Sequence, residues 1–325
     1  MELFADRALC AAVIFMGNAM PLKAAEPTYP SHPLRIIVPF APGGASDVVA
    51  RMIAQKLAES MGQSVVVDNR GGAGANIGIG LAAKAQPDGY TLLVASSAFA
   101  VNPSLYAKAP YDPFRDFQPV TCVGSSPNIL AVHPAFPAKS VKELIELVCA
   151  QPGKHNYAST GTGTTPHLSG EMFRLAFKLD LNHIPFNGAG PELQAMISGQ
   201  VPIGFASVTS FAPQVKAGQL RGLAVTADQR TAALPDVPAM GELGITGMAG
   251  DTFQGLFVPA GMSKAVFARL HSEIMQALAR PDVRERLAGI GLDPVNNSPQ
   301  EFAAQVKTDI AKWRKIIQEV NIKAD

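Results

Sequence analysis

The sequence predicts an α/β protein of two domains built on mostly parallel sheets. Apolar, β-branched runs alternate with stretches of helical spacing nearly throughout the chain. Strand-to-helix junctions near 39–47, 70–76 and 160–166 are Gly-rich loops with small side chains. A length of 325 residues with 47% hydrophobic content suffices for two packed cores.

Residues 1–25 read as a secretory signal. Arg7 precedes the apolar run Ala8–Met16, which is too short to span a bilayer, and Ala24 (with Ala25 beside it) offers a small residue for cleavage. A periplasmic location is the expectation. Prolines at 21, 27, 30 and 33 break any continuous helix.

A buried strand is expected at 34–39, where Leu34, Ile36, Ile37 and Val38 cluster. Val48, Val49, Met52, Ile53 and Leu57 then fall at helical spacing, predicting a helix over 47–61 that Gly62 stops. The loop between them exposes backbone N–H groups at a helix N-terminus, where the orphan donors and the dipole favour an anion. Ser46 or Asp47 is the expected cap. A strand at 64–68 leads through the second Gly loop to a helix at 76–85, followed by a strand at 91–95. The next strand is 128–133, and Ser140 with Glu143 opens a helix at 140–151 as a capping box. A strand at 156–160 then meets the third loop. Thr164 or Thr165 caps the following helix, 166–177, and Pro166 suits its first turn. A strand at 182–186, a helix at 190–198 ended by Gly199, a strand at 202–207 and a helix at 210–217 ended by Gly218 come next. Strands at 220–226 and 252–258 and helices at 263–279, 281–289 and 299–320 complete the chain; Ser298 and Glu301 form a second capping box.

The strand Asn128–Pro134 resembles Gln254–Pro259: both are apolar, end at proline, and precede a helix opened by serine. They suggest a hinge of two crossing strands. Domain 1 would comprise 26–126 and 252–325, and domain 2 residues 127–251.

Charged residues make up 16% of the chain and the net charge is +1, which excludes a nucleic-acid-binding face. Cys122 on an apparent strand and Cys149 in an apparent helix read as two separately buried thiols without redox or metal spacing, with a disulfide between them as the alternative that export would permit. No Gly-x-Ser-x-Gly elbow, Gly-x-Gly-x-x-Gly fingerprint or Walker lysine occurs, and the histidines lack metal-ligand spacing. No catalytic residue, metal or cofactor is therefore assigned. Asp47 and Glu171 beside Gly loops could form an acid/base pair, the one basis for a secreted enzyme acting on a small carboxylate. Asp47 reads better as a cap or loop organiser and Glu171 as a helix-surface residue.

Together, Ile37-Val38-Pro39-Phe40-Ala41-Pro42-Gly43-Gly44 with Asp47 and Ala50-Arg51, Val67-Asp68-Asn69-Arg70 with Asn76-Ile77-Gly78, Pro87-Asp88-Gly89-Tyr90-Thr91-Leu92, Asp116–Val120, Tyr157-Ala158-Ser159 with Gly163-Thr164 and His167-Leu168, Gly199-Gln200-Val201, Leu223–Thr226 and Pro235-Asp236-Val237-Pro238 occur in fixed order. In this the chain resembles the tripartite tricarboxylate transporter substrate-binding family, the Bug-type extracytoplasmic receptors, over about 29–322. The resemblance implies a two-domain, Venus-flytrap binding fold of type II-like character. A small organic carboxylate would be held in the interdomain cleft by a monomeric, non-enzymatic receptor, for uptake or sensing with a membrane transporter or sensor. It carries ligand contacts onto Phe40, Ala41, Pro42, Gly43, Gly44 and Asp47 from one domain. Thr160, Gly161, Thr162, Gly163, Thr164 and His167 carry over from the other, and Asn76, Ser97, Asn187, Ser207 and Phe253 complete the expected set. The chain departs from the family at Pro185-Phe186-Asn187-Gly188 and has alanine at 195 and 206, where acids are frequent. With those acids lost, an amino-acid ligand is disfavoured against a dicarboxylate, aromatic or hydroxy acid. Phe186, Phe205 and Phe253 are candidates for an apolar cleft wall.

Overall fold

The computed structural model describes residues 29–248, 250–319 and 321–322, so the expected signal segment lies outside the described residues. The elements run β1 (Leu34–Val38), α1 (Ala45–Met61), β2 (Val65–Asn69), α2 (Asn76–Ala83), β3 (Thr91–Ser96), α3 (Ala98–Leu105), β4 (Phe117–Ser126), β5 (Asn128–Val132), α4 (Val141–Ala150), β6 (His155–Ser159), α5 (Thr165–Ala176), β7 (Leu181–Pro185), α6 (Ala189–Ile197), β8 (Ile203–Ser207), α7 (Val208–Lys216), β9 (Arg221–Val225), β10 (Thr252–Pro259), α8 (Lys264–Ala279), α9 (Pro281–Gly289), β11 (Asp293–Pro294) and α10 (Pro299–Glu319). A short 3-10 turn at Ala73–Ala75 precedes α2.

These strands form two sheets. The larger has the order β11-β4-β10-β3-β1-β2 and the smaller β7-β6-β8-β5-β9. The sheets are mixed rather than mostly parallel. β1 pairs in parallel with β2 and β3, and β6 with β7 and β8, whereas β10 runs antiparallel to β3 and β4, and β5 antiparallel to β8 and β9. The parallel pairs are those joined by a crossover helix. The antiparallel strands are those that carry the chain between the sheets.

The chain leaves the larger sheet at Ser126 and enters the smaller at Asn128, with only Pro127 between β4 and β5. It returns between β9 and β10. The two strands expected to cross as a hinge thus lie one in each sheet. Asn128 ties the two passages together: its N–H donates to the Thr226 hydroxyl (3.1 Å), its Nδ2 to the Gly250 carbonyl (2.9 Å), and its Oδ1 accepts from the Thr252 hydroxyl (2.9 Å).

The larger sheet is packed against α1, α2 and α10, with α8 laid on α1 and with Phe99, Phe257 and Phe302 at the centre of its core. The smaller sheet has a core on each face, one around Tyr157, Phe173 and Phe205, the other around Met196, Val208 and Phe211. Strand β4 and helix α3 escape sequence reading for opposite reasons. β4 mixes Gln118, Pro119, Thr121 and Gly124 into its run, while α3 is apolar nearly all round and holds Pro103. Cys122 is buried in β4, but Cys149 is exposed on α4, where Val148 takes the buried position beside it; the two thiols are free. Among the described residues, no helix is long and apolar enough to cross a membrane.

Candidate functional site

Strands β1, β6, β7 and β8 are each followed within a few residues by a helix, α1, α5, α6 and α7, and the first turns of these four helices meet at one site. There a cavity of about 40 Å³ is lined by Phe40, Gly44, Ala45, Ser46, Ser96, Thr160, Thr164, Pro166, Ala189, Ser207, Ser210, Thr252 and Gln254. Ala45 and Ser46 belong to the first turn of α1, Pro166 to that of α5, Ala189 to that of α6 and Ser210 to that of α7. Among the described residues the lining holds hydroxyls and one carboxamide, and no charged side chain. Electropositive helix ends are therefore what remains to attract a ligand.

The first loop is held from behind. The Asp47 carboxylate accepts from the Gly43 N–H (3.1 Å), Asn69 Nδ2 (3.0 Å) and Arg51 Nε (3.0 Å), and Asn69 Nδ2 also donates to the Phe40 carbonyl (3.0 Å). Burial opposes ionisation of Asp47, but these donors win and hold its carboxyl below the usual range. Asp47 is thus the loop organiser, and the N-cap of α1 is Gly44, one of the expected loop residues, rather than Ser46 or Asp47. Ser46 instead donates to Gln254 Oε1 at 2.7 Å.

The second loop is clamped. Thr164 caps α5, accepting from the His167 N–H, and its hydroxyl donates to the Gly161 carbonyl (2.7 Å). The Gly161 N–H donates to Ser159 Oγ (3.2 Å) and the Gly163 N–H to His167 Nδ1 (3.3 Å). From the larger-sheet side Tyr106 donates to the Thr162 carbonyl (3.1 Å). Gly74 lies so close to that carbonyl that a Cβ there would overlap it.

Of the residues expected from sequence, Phe40, Gly44, Thr160, Thr164 and Ser207 line the cavity. The amides of Gly43, Gly161 and Gly163 donate to Asp47, Ser159 and His167 in the flanking elements, so these glycines shape the site rather than donate to it. Ala41 and Asn187 bond each other across the cleft (2.8 Å), and Pro42 abuts Gly190. Asn76 accepts from Asn102 (3.1 Å), and Ser97 bonds the Asp251 carbonyl and the Phe253 N–H (3.2 and 2.8 Å). Phe205 and Phe253 do not form a cleft wall: Phe205 packs on Tyr157 and Phe173, and Phe253 on Phe302, because both rings point into cores. His167 is buried against His183. Glu171, expected at a helix surface, is half-buried and bonded to Tyr157 (2.7 Å) and Arg174 (2.8 Å).

Sequence reading missed Ser96, Ala189, Ser210, Thr252 and Gln254. The signal for Gln254 was a polar residue inside an apolar strand, and for Ser210 a Ser-x-x-Ser pair opening a helix. Among the described residues no group of His, Cys, Asp and Glu is arranged to hold a metal ion.

The model for receptors of the tripartite tricarboxylate transporter family matches residues 49–322. The periplasmic binding protein BugD is 33% identical, with a TM-score of 0.88 over 91% of this chain and 100% of that one. An R. palustris protein solved with adipate is 31% identical, with a TM-score of 0.87 over 91% and 99% of the two chains. MatC from Rhodopseudomonas palustris, solved with bound malate, is 31% identical, with a TM-score of 0.85 over 89% and 100%.

Proposed function

Since the chain belongs to the tripartite tricarboxylate transporter receptor family, we propose that it is an extracytoplasmic solute receptor that captures a small organic carboxylate in the cleft between its two sheets. The observation that carries this reading is the convergence of the first turns of α1, α5, α6 and α7, with a ring of hydroxyls, on a cavity without a charged side chain. Orphan N–H groups of Ala45, Ser46 and Ala189 and the hydroxyls of Thr160, Ser207 and Ser210 suit carboxylate oxygens. The Gln254 carboxamide, turned by its bond to Ser46, suits a hydroxyl or second carboxyl of the ligand. The relatives that hold malate and adipate support a C4 to C6 dicarboxylate as the class to try first.

Like the periplasmic BugD, the chain would act outside the inner membrane after removal of residues up to Ala24, and would hand its ligand to a membrane transporter or report it to a sensor. The test is native mass spectrometry of freshly purified protein followed by calorimetry with malate and adipate. A retained or titrated organic anion at one per chain is the expected result. Turnover of the acid, or no binding of any organic anion, would overturn the reading. N-terminal sequencing of exported protein checks the cleavage.

A further inference from the structure

We propose that His167 is a positioning residue: its uncharged imidazole holds the loop 160–164 in the shape that binds, and uptake of a proton by this ring releases the ligand. The inference rests on reading the cleft as a carboxylate site.

The geometry begins at the Gly163 N–H, which donates to His167 Nδ1 at 3.3 Å. A ring nitrogen that accepts must carry its lone pair, so Nδ1 is unprotonated in this arrangement. The ring stacks on His183, with centroids 4.2 Å apart. His183 Nε2 lies 2.7 Å from Ser159 Oγ, which in turn accepts the Gly161 N–H. Two amides of one loop are thus anchored on a pair of stacked histidines. On the opposite side, Tyr106 holds the Thr162 carbonyl. Between these anchors, the Thr160 and Thr164 hydroxyls sit 3.0 Å apart at the cavity.

A proton on Nδ1 turns that acceptor into a donor facing another donor. The Gly163 amide must then leave, and the loop that sets Thr160 and Thr164 moves with it. Imidazole is the side-chain type that changes charge between pH 5 and 8. Among the described residues, the ionisable groups beside this ring are Glu171 and Arg174 on α5, His183 on β7 and, stacked on His183, Tyr157 on β6; the Glu171 carboxylate and the ring act on each other electrostatically. Burial, with His167 adding to it, pushes His183 down to about 3, so that ring stays uncharged throughout the range. Burial opposes ionisation of Glu171, but bonds from Arg174 and Tyr157 hold its carboxyl below the usual value; Arg174 and the buried Tyr157 hydroxyl keep their charge states as well.

The test compares wild type with His167→Asn, whose amide oxygen offers an acceptor near Nδ1 but cannot titrate, and with His167→Ala. Affinity for malate and adipate is measured by calorimetry at pH 7.5 and 5.5, and protection of the Gly163 amide from hydrogen exchange is followed by NMR in the ligand-free proteins. In wild type, affinity should fall at least tenfold more between the two pH values than in His167→Asn, which cancels the ligand's own titration. His167→Asn should keep affinity within about threefold at pH 7.5, and His167→Ala should lose at least tenfold. Gly163 protection should drop on acidification in wild type and persist in His167→Asn. An equal acid loss in wild type and His167→Asn, or full Gly163 protection in His167→Ala, overturns the inference. Failure of both acids to bind at any pH overturns the carboxylate reading, and the amide data then decide the positioning role alone.

Discussion

The main-chain N–H of Ala41 donates to the carbonyl oxygen of Asn187 at 2.8 Å, joining the loop after β1 to the loop before α6 across the cleft. This bond involves no side chain, so it forms only when the two loops approach at backbone distance. Gly188 and Gly190 allow that approach, and a Cβ at Gly190 would overlap the Pro42 carbonyl. The closed cleft is therefore a packed backbone interface, and opening it means parting Ala41–Pro42 from Asn187–Gly190 about the Asn128 crossing.

Ligand should drive this closure. Scattering of the ligand-free protein is expected to give a larger radius of gyration than the complex. Gly190→Val should keep the open profile with saturating ligand present and lose at least tenfold in affinity, while far-ultraviolet circular dichroism stays native. A Gly190→Val protein that closes and binds like wild type would refute the latch. Wild type at a hundredfold excess of ligand over Kd should gain about 2.7 kcal/mol of stability by mass action.

Gly43 and Gly163 occupy the left-handed region, with φ of +93° and +84°. Valine there strains the backbone and displaces the loops that position the α1 and α5 N-termini. Gly43→Val and Gly163→Val should each abolish measurable calorimetric binding in a folded protein. Thr164→Val removes the cap of α5 and the bond to the Gly161 carbonyl, at a cost of roughly 1–2 kcal/mol in affinity. Glu171→Gln should bind normally, since Glu171 braces Tyr157 and Arg174 outside the cavity lining.

With no charged side chain in the lining, recognition rests on directed dipoles at short range. Affinity should change by less than about threefold between 0.05 and 0.5 M salt, because screening acts mainly on exposed charges. Ser46→Ala should weaken binding by roughly 1 kcal/mol, as it frees Gln254 to turn away. A steep salt dependence would mean that an unrecognised cation pairs with the ligand.

The elements that bear on this site were largely legible, because local rules wrote them. Strand-to-helix alternation, the Gly loops, the Thr164 cap and the Ser298–Glu301 box each depend on neighbours a few residues apart. What escaped depends on distant pairing. β4 is a strand because β10 pairs along its whole length, Ser126 to Phe117, and nothing local in Gln118-Pro119 announces it. Likewise the loop glycines were read as donors to a ligand. Their amides are occupied by Asp47, Ser159 and His167, and all three of these lie in the flanking helices and strand. Phe253 is a candidate for the cleft wall from the resemblance and from its apolar ring, yet strand alternation turns that ring toward Phe302 and the next residue, Gln254, to the cavity.

Glu192 supplies the last expectation. It lies on α6, one turn beyond Ala189, fully buried, and neither carboxylate oxygen has a hydrogen-bond partner. Burial pushes its pKa well above the usual value, so the folded protein holds it as the neutral acid. The sign follows from linkage. A carboxyl whose folded value is raised contributes its full stability below the unfolded value near 4.5, and loses it as pH rises toward the folded value. Asp309 acts in the same sense over a lower range: burial pushes it up to about 6, with Lys312 opposing and Asp251 adding. The Glu192 component must therefore be read as the difference between wild type and a variant. Glu192→Met replaces the acid by an apolar chain of similar length beside Met196 and Gly204. It should raise the unfolding free energy obtained from urea titration at pH 8 by roughly 1–3 kcal/mol, the scale for relieving one unpaired buried polar group. The gain should shrink steadily toward pH 4.5. A gain independent of pH would show that packing alone is responsible, and a loss of stability at pH 8 would show that the carboxyl has a partner in solution.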